Sequence, residues 1–179
     1  MDVAQRFIAR SRHYLAYEYP TKIQRCVDVL PAHALWHRAN AGSNSIGNLL
    51  LHLSGNVRQW IVGGVGGEPC DRNRDAEFSA AGGVTKPELL SKLTASVIDA
   101  DRVMARLTED DLRRDVTIQG RDTNVFAAVY HVVEHFSMHT GQIIMLAKMY
   151  SSRPLRFYEN ADGIAIPVWG GSEKLSNLG

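Results

Sequence analysis

Residues 123–150 constrain this chain more than any other stretch. Val125, Ala128, Val132, Ile143 and Leu146 recur there at helical spacing, and an α-helix gathers residues so spaced onto one face. His131, His135, His139 and Gln142 sit on or beside that same stripe, while Tyr130, Glu134, Ser137, Gly141 and Lys148 fall on the opposite side. A long helix with an apolar stripe must bury it against other helices or a sheet. Whatever fold does so must also accommodate a ladder of imidazoles on the buried side.

The rest of the chain supplies helices rather than strands. Residues 2–30 read as helical, with Pro20 a kink or break because proline lacks the amide hydrogen and crowds the preceding turn; Pro31 ends the segment. A loop over residues 31–43 contains Trp36. A second helix starts near Asn44 or Ser45, both good caps, and runs to about Val62, where the glycine-rich residues 63–67 stop it. Its apolar face is Ile46, Leu49, Leu50, Leu53, Val57, Trp60 and Ile61, and His52 lies at the edge of that face beside Ser45, Asn48, Asn56 and Gln59. A long polar loop covers residues 68–84. Thr85, Pro87 and Glu88 then form a capping box with proline in the first turn. Leu89, Leu93, Val97, Ala100, Met104 and Leu107 carry the third stripe. Residues 115–120 are a short extended crossover, and the chain is irregular after Ser151. The expectation is an all-α four-helix bundle over residues 1–158, followed by a tail over 159–179 that packs on it or extends from it.

Length and composition agree with that and narrow the function. A chain of 179 residues suits one domain with a real core. The formal net charge is +1, which argues against a dedicated nucleic-acid binder, since these carry a basic excess. No apolar run approaches the ~20 residues of a membrane span. Cys26 and Cys70 form no metal or disulfide motif, and each reads as a small buried hydrophobe. A cytoplasmic protein acting on a small molecule is expected.

The histidines carry the chemistry. An i, i+4 pair lies about 6 Å apart along a helix, close enough for two imidazoles to share one ion. His131 and His139 are separated by roughly 12 Å of rise, too far for one ion at a Zn–N distance of about 2 Å. One pair can bind, either 131/135 or 135/139, and a third ligand must come from another helix. His52 faces inward with polar company and is the best candidate; His13, His33 and His37 give no such signal. Other motifs fail on the same residues. His131-Val132-Val133-Glu134-His135 matches the inverted zinc-protease pattern, but too little chain follows for its downstream acidic ligand. Phe136 stands where H-E-x-x-H needs glutamate, and Ser137 where a di-iron Glu-x-x-His needs histidine.

Three stretches resemble the DinB-like superfamily, and within it an uncharacterised bacterial branch: residues 43–60 (SNSIGNLLLHLSGNVRQW), 71–78 (DRNRDAEF) and 133–143 (VEHFSMHTGQI). The likeness extends over roughly residues 1–158. It implies a four-helix bundle with a three-histidine metal site, the ligands falling on His52, His135 and His139 and leaving His131 outside. It further implies a homodimer, and an activity of the kind found in thiol-dependent transferases and isomerases that use low-molecular-weight thiols. Three imidazoles leave an ion such as zinc or nickel with open positions, as in a catalytic site. The expected function is a metal-dependent enzyme activating a thiol or water for attack on a small electrophile, with a non-catalytic metal-binding or stress-related protein as the alternative. His131 is the candidate general base. Asn48, Asn56 and Gln142 are candidates for supporting the ligands or touching substrate. Arg72, Arg74 and Glu77 form a charged cluster in which the arginines suit an anionic group. Phe126, Val133 and Ile144 lie off the core stripe and suggest a dimer surface.

Overall fold

The computed structural model describes residues 2–151 and 153–170. Four long helical rods make the bundle. The first begins at α1, Val3–His13, where Asp2 and Gln5 form a reciprocal capping box. It passes through a π-helical turn, Tyr14–Glu18, into α2, Tyr19–Val29. Pro20 therefore does not break the rod. The Tyr19 amide reaches back five residues to the Tyr14 carbonyl, and this wider turn makes room for a ring that would crowd an α-helix.

The second rod is α3, Ile46–Val57, capped by the Ser45–Asn48 box, and it continues as a π-helical stretch, Arg58–Val65. The helix thus runs through Gly63 and Gly64 and ends at Val65, and Gly67 just beyond it takes a φ of 76° that suits glycine. Gly64 serves packing instead: a Cβ there would overlap the side chain of Ile118. The stretch expected as a long polar loop contains a short helix, α4, Arg74–Ser79, capped by Asn73.

The third rod, α5, Lys86–Met104, starts at the Thr85–Glu88 box as the sequence indicates. Leu89, Leu93, Val97, Ala100 and Met104 are buried, and Leu107 lies just past the helix end. After α6, Glu109–Arg113, the extended crossover proves to be one arm of a hairpin: β1, Asp115–Ile118, pairs antiparallel with β2, Arg121–Asn124. Gln119 and Gly120 turn it, both at positive φ. Asn124 then caps α7, Val125–Tyr150, the fourth rod. The segment after Ser151 is not wholly irregular. β3, Tyr158–Ala161, and β4, Ile164–Pro167, form a second hairpin. Leu155, Phe157 and Trp169 around it are buried. The part of the expected tail over residues 171–179 lies outside the described residues.

α3 packs against both α5 and α7, and α2 against α7. Leu15, Ile23, Leu49, Leu50, Leu53, Ile61, Leu93, Phe136 and Ile143 are almost wholly buried, each contributing roughly 1.5–3 kcal/mol of transfer free energy. A two-pronged pair between Arg12 and Asp101, at 2.7 and 3.0 Å, ties α1 to α5. Among the described residues no helix is long and apolar enough to cross a membrane.

Candidate metal centre

The apolar seam between α3 and α7 is interrupted by one polar layer. His52 reaches it from α3; His135 and His139, one turn apart, reach it from α7. His52 Nε2 lies 3.0 Å from His135 Nε2, which lies 3.2 Å from His139 Nε2. Ligand nitrogens of all three fall within 4.8 Å of one another. Two nitrogens bound to one tetrahedral zinc would be about 3.3 Å apart. His131 is not in the convergent set. Its ring packs at a tilt against Trp60, centroids 4.2 Å apart, and lies 5.5 Å from the His135 ring.

The outer nitrogens decide what the inner ones present. His52 Nδ1 is 3.0 Å from Glu77 Oε2, so it carries the hydrogen and donates. Arg72 Nη2 also lies 3.1 Å from that nitrogen, but its own donation goes to Glu77 Oε2 at 2.7 Å. His139 Nδ1 is 2.8 Å from Gln142 Oε1 and likewise donates. Both rings therefore aim bare Nε2 lone pairs at the centre. The His135 Nε2 hydrogen could satisfy one of them at most, and among the described residues His135 Nδ1 is buried without a partner in either tautomer. A cation at the focus satisfies all three Nε2 atoms at once, so the donor set fits a divalent transition ion.

Electrostatics favour the neutral imidazoles that ligation needs. Burial, then the neighbouring His139, His52, His131 and Arg72, pushes His135 down to about 3. Burial also holds His139 below its ordinary value, against the opposing pull of its bond to Gln142. Burial works against the charge of Glu77, but hydrogen bonds from Arg72 and His52 outweigh it and keep the carboxyl below the usual range.

Glu77 is the residue that reading the sequence did not place at the site. It comes from α4 and makes a two-pronged pair with Arg72: Nε to Oε1 at 2.7 Å and Nη2 to Oε2 at 2.7 Å, both side chains buried. Space for the pair comes from Gly55. A Cβ there would overlap Glu77 Oε1 and lie 2.8 Å from Arg72 Nε. A mid-helix glycine three residues after His52 was the available signal, since glycine costs roughly 1 kcal/mol in that setting. Phe78 and Trp60 supply the walls, with Phe78 packing 4.6 Å from the His52 ring.

The other expected residues fall in different places. Gln142 backs His139. Asn48 is wholly buried, and its amide donates to the carbonyls of Glu77 and Ala80, so it anchors α4 rather than meeting the triad. Arg72 is consumed by Glu77 and by Gln59, 2.9 Å away. Arg74 is exposed, its guanidinium 4.8 Å over the Phe78 ring. Asn56 is buried one turn along α3 from His52, its Oδ1 without a partner among the described residues.

A four-helix bundle with three histidines converging from its second and fourth rods defines a class, helical bundles suited to one metal ion. Two solved structures share the fold. A DinB-like protein from Bacillus subtilis superposes with a TM-score of 0.61 at 16% identity, covering 87% of this chain and 99% of that one. A DinB-like protein from Bacillus cereus gives 0.59 at 17% identity, covering 74% and 87%. The fold is DinB-like, as the sequence motifs imply. The chain belongs to the family described as "Protein of unknown function (DUF1572)", whose model matches residues 2–159. No curated protein matches it.

Proposed function

We propose that this protein is a metalloenzyme that holds one divalent ion, zinc or nickel, on His52, His135 and His139 and acts on a small electrophilic substrate. The convergence of three Nε2 atoms, two with their lone pairs fixed inward, carries the reading. When bound, such an ion supplies Lewis acidity that makes a thiol or a water nucleophilic near neutral pH. Three protein ligands leave positions open for that nucleophile. Glu77 and Gln142 hold two of the rings in orientation. His131, half-buried against Trp60, is kept below its ordinary pKa chiefly by burial, so a ring nitrogen is free to take the proton the nucleophile releases. Arg74 offers positive charge to an anionic group on the substrate or on a low-molecular-weight thiol.

The outer face of α7 favours a homodimer. Of the expected set Phe126 is exposed, whereas Val133 and Ile144 are partly buried against the core; Tyr130, Met138, Met145 and Met149 are also exposed on this face, and a Cβ on Gly141 would meet nothing within 4 Å among the described residues. A second copy seated there covers the apolar stripe and approaches closely at the glycine. The two free cysteines, Cys26 buried and Cys70 exposed, suit the cytoplasm.

Metal analysis of freshly purified protein tests the centre. About one zinc or nickel per chain is expected, lost in His139→Ala; equal trace contents in both would overturn the reading. Thiols paired with electrophilic acceptors, assayed with and without chelator, should reveal chelator-sensitive turnover. A metal-loaded protein without such turnover would instead be the non-catalytic binder. Sedimentation as a monomer at micromolar concentration would remove the dimer.

A further inference from the structure

α3 and α7 meet in layers one helical turn apart. The His52 ring faces His135 at 4.9 Å and His139 at 5.1 Å, and two turns further along the second rod Trp60 faces His131 at 4.2 Å. Asn56 lies midway between His52 and Trp60, and His135 lies midway between His139 and His131. The two therefore share a layer.

Both bring an unanswered polar atom to it. Asn56 is 4% exposed, and its Oδ1 has no donor among the described residues. His135 Nδ1 is buried and also lacks a partner among the described residues. When His135 ligates through Nε2, its Nδ1 carries the hydrogen and becomes a donor. One unpaired donor and one unpaired acceptor in a single buried layer are each unfavourable, and pairing them removes both penalties. The other two ligands already have acceptors behind them, Glu77 for His52 and Gln142 for His139.

We infer that Asn56 is the positioning residue of His135: its Oδ1 accepts the Nδ1 hydrogen, directly or across one water molecule. Every ligand then has an acceptor behind it. The assignment rests on the metal reading above. It separates Asn56 from Asn48, whose amide is spent on the backbone of α4.

The test compares wild type with Asn56→Leu, which keeps the volume and removes the acceptor, and Asn56→Asp, which keeps the acceptor. Zinc dissociation constants come from chelator competition. Nitrogen-15 NMR of the zinc-loaded protein follows solvent exchange of the His135 Nδ1 hydrogen. Urea unfolding of the metal-free protein controls for folding. Asn56→Leu should weaken zinc binding by about 10- to 100-fold and speed exchange of that hydrogen, without lowering the metal-free unfolding midpoint. Asn56→Asp should bind at least as tightly as wild type. Wild-type affinity and exchange in Asn56→Leu would overturn the inference, as would equal weakening by Asp and Leu, which would mark a packing role. Wild type that fails to hold zinc would overturn the metal reading itself, a separate outcome.

Discussion

The two walls of the histidine layer are built differently. On the α3 side, His52 is braced by a buried carboxylate, which is gripped in turn by a buried guanidinium at two points. On the α7 side, His139 rests on a single neutral amide three residues away, and the outer nitrogen of His135, Nδ1, has no partner among the described residues. A charged brace is stiff, and once made it is expensive to break, because removing one partner strands a charge in the interior. A neutral brace from the same helix holds less strongly but adjusts more readily. If the layer holds an ion as proposed, the α3 wall is its more firmly braced side and the α7 wall its less firmly braced one.

Glu77→Ala breaks the contrast most severely. It leaves Arg72 buried and unpaired and His52 unbraced, so a loss of about 3–5 kcal/mol in unfolding free energy is expected, read by denaturant titration. Zinc affinity should fall with it. Gly55→Ala comes next. Helix propensity alone predicts a gain of roughly 0.5–1 kcal/mol. The overlap with Glu77 and Arg72 predicts a net loss of about 1–3 kcal/mol instead, so the sign of the change decides between them. Gln142→Ala should be mildest, near the ~1 kcal/mol of one neutral hydrogen bond, with a small rise in the zinc dissociation constant by competition titration. A Gln142 effect as large as that of Glu77 would abolish the distinction between the walls.

Much of this was legible in the residues because it is local. The boxes at Ser45–Asn48 and Thr85–Glu88 mark helix starts through contacts three residues long, and the stripes of α5 and α7 follow from helical period. The errors were local rules overruled by packing. Gly63 and Gly64 read as a stop yet sit inside a helix, because Ile118 of the β1 arm needs the space beside Gly64. Residues 68–84 read as plain loop, because a helix as short as α4 leaves little periodicity to detect.

By itself the sequence determined four helical rods, an inward ladder of histidines on the last of them, and the rule that His131 and His139 cannot share one ion. Motif resemblance selected His135 and His139 over the alternative pair, and the packing of α3 on α7 brings those two to His52. Only the tertiary structure placed Glu77 behind His52 and turned Arg72 from a surface cation into its counter-ion. The reason is distance along the chain. Helix period fixes neighbours three or four residues apart, whereas contacts across 25 residues, as between His52 and Glu77, or 83, as between His52 and His135, exist only once the core has set how the rods pack.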